Sequence, residues 1–187
     1  MRPARFVLAL VVLSIPRAAP ADEALWTLLK GGGQVVIMRH AATVPNVPDT
    51  LGPGGCASQR NLSEAGREDA RRIGAAFRAR GITVDDVRAS VWCRCMDTAR
   101  LAFGSATNWP PLDSFFRDRS REPAQTLQVR ELVIRHRGGT LALVTHQVNI
   151  TALTGLFPAE GEMLILTPRG DGFTVAGRLK PPDVSAN

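Results

Sequence analysis

The 187-residue sequence has no tyrosine, only 5% aromatic residues and three cysteines. It contains neither a basic block nor a stripe of alternating basic and aromatic residues, so its composition does not favour nucleic-acid binding. No Gly-x-Gly-x-x-Gly follows a strand and no Gly-x-Ser-x-Gly elbow occurs, which excludes common dinucleotide-binding and serine-hydrolase patterns. The length and the 44% hydrophobic content predict one globular domain.

A long apolar run is also missing from the N-terminus. The apolar stretch there covers residues 6–15, whereas a membrane-spanning helix needs about 20 residues. Arg2 and Arg5 precede the stretch and small residues ending in Ala21 follow it, which is the pattern of a secretory signal peptide. We therefore predict a signal peptide over residues 1–21 and a periplasmic or secreted domain over 22–187, with no stable membrane insertion after cleavage. The alternative is an uncleaved anchor.

The net charge is modestly positive. It is +6 for the whole sequence and +3 without the three arginines of the signal segment, Arg2, Arg5 and Arg17. A surplus of this size suits a small anionic ligand better than a polyanion.

The three cysteines are Cys56, Cys93 and Cys95. In an oxidising compartment Cys56 can pair with either of the other two, which leaves one free thiol, while Cys93 and Cys95 are too close in sequence to pair easily with each other. Three buried free thiols are the alternative. No second cysteine pair or histidine at ligand spacing supports zinc, so we predict no metal and no cofactor. The oligomeric state stays open.

Alternating apolar strands and amphipathic helices predict a three-layer α/β/α sandwich with a mostly parallel central sheet. The long segment 41–61 is rich in proline and glycine and is predicted to be a functional loop, and 104–123 to be irregular. A short helix is expected after residue 146. Helices are predicted over 22–30, 63–80, 94–103 and 124–137, and strands over 34–38, 87–92, 141–145, 162–167 and 173–179, the last two at the sheet edge.

Basic and imidazole side chains follow three of these strands. His40 and His146 each come directly after an apolar strand, and Arg39 and Arg94 lie at or just beyond strand ends. Ligands of open α/β sheets bind outside the carboxyl ends of the strands, so these four residues are expected to converge on one anion site.

Four short motifs occur in an order that resembles the histidine phosphatase superfamily, also called phosphoglycerate-mutase-like. Residues 39–46 read RHAATVPN and match its opening Arg-His-Gly-x-Thr-x-x-Asn motif, except that Ala41 replaces glycine. Residues 62–66 read LSEAG and match Leu-Ser/Thr-x-x-Gly. Residues 90–99 read SVWCRCMDTA and match Ser-x-x-x-Arg-x-x-x-Thr-Ala, and 143–146 read LVTH, an apolar strand that ends in Thr-His.

This resemblance implies the family's fold and its residue roles. His40 is then the nucleophile that forms a phosphohistidine, His146 a donor to the phosphate, and Arg39 and Arg94 the cations that hold it. Arginine suits this task because its planar fork binds phosphate through two bonds and stays charged. Two further residues of the opening motif, Thr43 and Asn46, are expected to contact the substrate.

The general acid is less clear from the motifs. One branch of the family uses an aspartate directly after the second histidine, but Gln147 stands there. In the other branch a carboxylate comes from the segment after the third motif, where Asp113 is the first acidic residue. Some small members work without such an acid. The predicted function is a phosphatase acting on a small phosphoester or an envelope sugar phosphate; the alternative is a catalytically idle anion-binding protein.

Overall fold

The computed structural model describes residues 21–47, 49 and 55–182. The predicted signal peptide therefore lies outside the described residues, apart from Ala21. The helices are α1 Ala21–Lys30, α2 Glu64–Ala79, α3 Cys93–Phe103, α4 Glu122–Arg135 and α5 Gln147–Thr154. The strands are β1 Val35–Arg39, β2 Asp86–Ala89, β3 Thr107–Asn108, β4 Leu141–Thr145, β5 Met163–Arg169 and β6 Gly172–Leu179.

The strands form one sheet in the order β3-β2-β4-β1-β5-β6. β3, β2, β4 and β1 are mutually parallel, while β5 pairs antiparallel with both β1 and β6. The apolar runs of β1 and β4 lie side by side in the middle of the sheet and are almost fully buried, as expected for strands covered on both faces. The predicted mostly parallel sheet is confirmed.

Alternate residues of β1 face two separate hydrophobic cores. Val36 and Met38 pack in the core that also holds Trp26 of α1 and Phe77 of α2. Val35 and Ile37 pack instead in the core that holds residues of α4 and α5, including Val129 and Ile150. Helices thus cover both faces of the sheet, which confirms the three-layer α/β/α architecture.

Several element boundaries differ from the prediction. β2 ends at Ala89 and not at residue 92. The Ser90 backbone N–H still donates to the Val144 carbonyl of β4, but that of Val91 donates to the Asp113 carboxylate. The segment predicted to be irregular contains the short strand β3 and two 3₁₀ turns, Pro110–Leu112 and Arg119–Arg121. α4 begins at Glu122, two residues early, with Pro123 in its first turn, where proline is favoured.

The second motif holds the loop after β1 in place. Ser63 caps α2 by accepting a hydrogen bond from the Gly66 backbone N–H at 3.0 Å. A Cβ atom on Gly66 would collide with the backbone carbonyl of Ala42, so glycine allows the first turn of α2 to pack directly against the loop that follows His40. In the described part of the chain, no helix has the length and apolar character needed to span a membrane.

Candidate active site

Parallel pairing of β1 and β4 places the two histidines side by side. Arg39 and Thr145 are register partners, so His40 and His146 follow at equivalent positions at the carboxyl ends of neighbouring strands. Their ring centroids are 5.6 Å apart in an edge-to-face arrangement. Both residues are buried, with 3% and 4% of their surfaces exposed. The predicted convergence of the two histidines at one sheet edge is confirmed.

Local hydrogen bonding fixes the tautomer of His40. Its Nδ1 atom lies 2.9 Å from the carbonyl oxygen of Ala41, and because a carbonyl only accepts, Nδ1 carries the proton and donates it. The ring's lone pair is therefore on Nε2. Burial, together with the positive charge of Arg94, lowers the pKa of His40 to about 3, so the imidazole is neutral at physiological pH.

A three-residue chain of hydrogen bonds orients His146. Its Nε2 atom donates to the Ser90 hydroxyl at 2.9 Å, because that hydroxyl in turn donates to the Asp113 carboxylate at 2.9 Å. The Nδ1 atom of His146 is then the acceptor nitrogen, and it lies 3.5 Å from Nη2 of Arg94. Burial lowers the pKa of His146 well below its usual value, and the positive charge of Arg94 acts in the same direction.

Asp113 does not occupy the place of a general acid. Its carboxylate accepts hydrogen bonds from the Ser90 hydroxyl and from the backbone N–H of Val91, and it does not line the cavity described below. Its backbone carbonyl is held by the side-chain amides of Gln125 and Asn149. The carboxylate therefore positions His146 through Ser90, and these contacts give no support to the general-acid role expected for Asp113.

Arg94 lies in the first turn of α3 and is 4% exposed. Its guanidinium stacks over the Trp92 ring at 4.4 Å from the centroid. Nη2 forms an ion pair with the Asp49 carboxylate at 3.0 Å. The Nε and Nη1 atoms are buried and have no hydrogen-bond partner among the described residues. Buried donors without partners are costly, so these N–H groups indicate a site built for an anion.

Arg39 is held by residues of the segment before β5. Its Nη1 atom donates to the carbonyl of Pro158 at 3.2 Å, and Nη2 pairs with Glu160 at 3.4 Å. Its Nε atom is buried without a hydrogen-bond partner among the described residues. Two contacts from the chain before β5 therefore hold the guanidinium while one donor stays available.

The other two predicted substrate contacts lie away from the cavity. Thr43 donates its hydroxyl to Glu160 at 3.1 Å and therefore supports the carboxylate that holds Arg39. Asn46 is exposed and adopts a left-handed turn with a φ of 59°, a conformation that asparagine tolerates well. Neither residue lines the cavity, so their expected contacts with the substrate are replaced by structural roles.

A cavity of about 280 Å³ opens in front of the two histidines. The loop after β1, which is predicted to be functional, and the segment after α3 both contribute to its lining. The lining residues are Arg39, His40, Asp49, Arg60, Trp92, Arg94, Ser114, Phe116, Arg117, His146, Gln147 and Val148. Four arginines and one carboxylate among these residues make the cavity strongly positive.

Sequence reasoning missed Asp49 and Arg60, which both come from the long loop after β1. Asp49 reaches Arg94, and its other carboxylate oxygen accepts the backbone N–H of Arg60 at 3.3 Å. The Arg60 charge acts on both Arg39 and His40. The loop has no hydrophobic periodicity, so its sequence does not distinguish these two side chains from solvent-facing ones. The sequence predicts only that the loop as a whole is functional.

A disulfide between Cys56 and Cys93 ties this loop to α3. The pairing is one of the two predicted, and Cys95 is the free cysteine, buried beneath His146. Gln59 strengthens the attachment because its side-chain oxygen accepts the backbone N–H of Cys93 at 2.9 Å. Closing a loop of 37 residues stabilises the fold by about 4 kcal/mol. Burial raises the pKa of Cys95 to about 12, so its thiol is not a nucleophile.

The first three motifs lie in a segment that matches a known protein family. Residues 35–120 match the family model of the histidine phosphatase superfamily, branch 1. This part of the chain is identified as a histidine phosphatase domain. The matched region contains His40 and Arg94, and the remaining site histidine, His146, lies beyond it, directly after β4.

Solved histidine phosphatase structures share the fold at low sequence identity. A putative phosphohistidine phosphatase SixA from Agrobacterium tumefaciens is 17% identical, with a TM-score of 0.58 over 80% of this chain and 99% of that one. A mutant phosphoserine phosphatase from Entamoeba histolytica, in complex with phosphoserine, is 11% identical, with a TM-score of 0.57 over 78% and 95%. The protein histidine phosphatase SixA complexed with tungstate is 16% identical, with a TM-score of 0.52 over 79% and 97%. No curated protein sequence matches this chain.

Proposed function

We propose that this protein is a phosphomonoester hydrolase that works through a phosphohistidine on His40. The observation that carries the proposal is the fixed tautomer of His40: Nδ1 donates to the Ala41 carbonyl, so a neutral imidazole presents its lone pair on Nε2. In the first step this lone pair forms an N–P bond while the bond from phosphorus to the ester oxygen breaks. Water then attacks phosphorus, the N–P bond breaks, and phosphate leaves.

The arginines supply the charge that this transfer needs. Phosphoryl transfer depends mainly on positioning and on fixed positive charge around the phosphoryl oxygens. The unpartnered N–H groups of Arg94 and Arg39 are buried at the cavity and are suited to donate to those oxygens. Because the two guanidiniums are already held by Trp92, Pro158 and Glu160, little reorganisation is needed when the substrate binds.

His146 is poised to gain a proton together with the substrate. Its Nδ1 is the acceptor nitrogen and faces Arg94, while Nε2 donates to Ser90. A bound phosphate places negative charge beside the ring and favours the imidazolium form, which opposes the effect of burial and of Arg94. The new Nδ1–H then donates to a phosphate oxygen, and the Ser90–Asp113 pair stabilises the positive ring from behind.

The cavity volume suits a small substrate. At about 280 Å³ it accommodates a phosphoryl group with a compact leaving group, such as a small phosphoester or a phosphorylated envelope sugar. Phe116 lies at the cavity and is 68% exposed, which offers an apolar surface beside the leaving group. Two proteins of similar fold were solved in complex with phosphoserine and with tungstate, which supports the choice of an oxyanion as ligand for this chain.

The experiment that tests the function is a screen for phosphate release over sugar phosphates, nucleotides and small phosphoesters, using the disulfide-bonded protein. We expect phosphate release from at least one class of small monoester. The alternative is a catalytically idle anion-binding protein, and binding of phosphate without hydrolysis of any compound would favour it. The neutral, oriented His40 favours the enzyme, because an anion-binding protein has no need of a nucleophile.

We further propose that the enzyme acts outside the cytoplasm. The Cys56–Cys93 disulfide suits an oxidising compartment, and the sequence before α1 has the pattern of a signal peptide. Cleavage after Ala21 leaves Asp22 and Glu23 in the first turn of α1, where negative charge interacts favourably with the positive end of the helix dipole. We expect sequencing of the protein from the cell envelope or medium to begin at Asp22. A protein that keeps Met1 and sediments with membranes would contradict this.

A further inference from the structure

The proposed reaction needs a proton donor that neither predicted position supplies. An alkoxide is a poor leaving group, so an alkyl phosphate is cleaved efficiently only if a nearby acid protonates the ester oxygen as it departs. Asp113 is bound to Ser90 and Val91, outside the cavity, and the residue after His146 is Gln147. In the described part of the chain, Asp49 is the one acidic residue that lines the cavity.

Asp49 is held close to where the phosphate must bind. Its Oδ2 atom lies 3.0 Å from Nη2 of Arg94, and this same nitrogen lies 3.5 Å from Nδ1 of His146. Its Oδ1 atom accepts the backbone N–H of Arg60. The carboxylate thus approaches Arg94 from the side of the loop, while the two strand-end histidines approach the site from the sheet.

We propose that Asp49 is the general acid of this phosphatase, an assignment that rests on the proposed function. A phosphate that binds Arg94 takes the place of the carboxylate, and two adjacent anions favour a proton on one of them. The proton comes from the substrate monoanion or from water. The contact with the Arg60 backbone N–H holds the other carboxylate oxygen of Asp49, so the displaced carboxyl group stays beside the leaving group.

The proton and electron pairs balance over the cycle. In the first step the Nε2 lone pair of His40 forms the N–P bond, the P–O bond breaks, and the ester oxygen takes the proton of Asp49 to leave as an alcohol. In the second step the Asp49 carboxylate takes a proton from water while the water oxygen bonds to phosphorus. The N–P bond then breaks, its electron pair returns to Nε2, and Asp49 is again protonated for release of phosphate.

The leaving-group dependence of Asp49→Asn tests this role. We expect turnover of an alkyl phosphate such as glycerol phosphate to fall by about 10² to 10⁴-fold, because the alkoxide loses its proton donor. Turnover of p-nitrophenyl phosphate should fall by less than about tenfold, because nitrophenolate leaves without a proton. Asp49→Glu, which keeps a carboxyl group, should recover part of the alkyl phosphate activity.

Asp86→Asn is the matched control. Asp86 also pairs with an arginine, Arg88, but it lies at the first residue of β2, at the opposite end of that strand from the site. Asp86→Asn should leave the turnover of both substrates unchanged. An equal loss of turnover on both substrates in Asp49→Asn would overturn the general-acid role. A gain of turnover on both would also overturn it, because the carboxylate would then only compete with phosphate. If His40→Ala retains activity, the proposed function itself fails, and that result is separate from the leaving-group comparison.

Discussion

His40→Ala is expected to lower phosphate release by at least about 10³-fold for every substrate that the wild-type protein hydrolyses, because no other group can form the covalent intermediate. The fold should survive, since the imidazole sits at a strand end and its Nδ1 bonds only to the next carbonyl along the chain. Phosphate binding should also survive, because both guanidiniums are retained. Turnover, thermal unfolding and phosphate titration of the variant measure these three effects.

His136→Ala serves as the control for this substitution. The sequence predicts His136 on the outward side of a helix; in the structure it is the residue that ends α4, half-buried, with Nε2 at 2.9 Å from the Gly139 carbonyl. Its removal should cost about 1 kcal/mol of stability and leave turnover unchanged. A folded His40→Ala protein with turnover similar to that of His136→Ala would contradict the nucleophile assignment.

Arg94→Ala is expected to reduce kcat/KM by about 10³-fold, or about 4 kcal/mol, because the phosphoryl group loses two buried donors and their charge in the transition state. Arg94→Lys should recover part of this loss, since the charge remains while the planar fork is removed. The ratio of kcat/KM between wild type and each variant gives the loss for Arg94→Ala and the recovery for Arg94→Lys. All proteins are measured with the Cys56–Cys93 disulfide fully formed. Phosphate affinity should fall in the same order.

The exposed Arg71 on α2 provides a matched arginine control. It pairs with Glu64 and Glu68 on its own helix and does not line the cavity. Arg71→Ala should change neither kcat/KM nor phosphate affinity, because exposed ion pairs contribute little. If Arg94→Ala folds normally and retains the activity of Arg71→Ala, the phosphate is held elsewhere.

Regular elements and strand-end residues could be predicted from the sequence because their signals are local. The apolar run of β4 ends at Thr145 as predicted, and register with β1 then places His146 next to His40. A serine directly before an amphipathic helix is also a local N-cap signal, and Ser63 caps α2. Each of these features depends on neighbours along the chain or on a general property of parallel sheets.

Roles that depend on tertiary contacts could not be predicted in this way. Asp113 was recognised as a carboxylate near the site, but only the packing of the segment after α3 turns it towards Ser90 and away from the cavity. Thr43 was assigned to the substrate, yet Glu160, which is 117 residues away in sequence, accepts its hydroxyl. Asp49 pairs with Arg94, which is 45 positions away in sequence, and no local pattern indicates this contact.

The most direct test of the central claim is to trap the phosphoryl group on the enzyme. The protein is mixed briefly with substrate labelled in its phosphate, quenched in alkaline denaturant to preserve the N–P bond, reduced and digested with trypsin. The three histidines fall on separate peptides, residues 40–60, 136–137 and 138–169. We predict label on peptide 40–60 that is stable in alkali, lost in acid and absent from His40→Ala. Label on peptide 138–169, or steady phosphate release with no labelled peptide at any time, would contradict a phosphohistidine at His40.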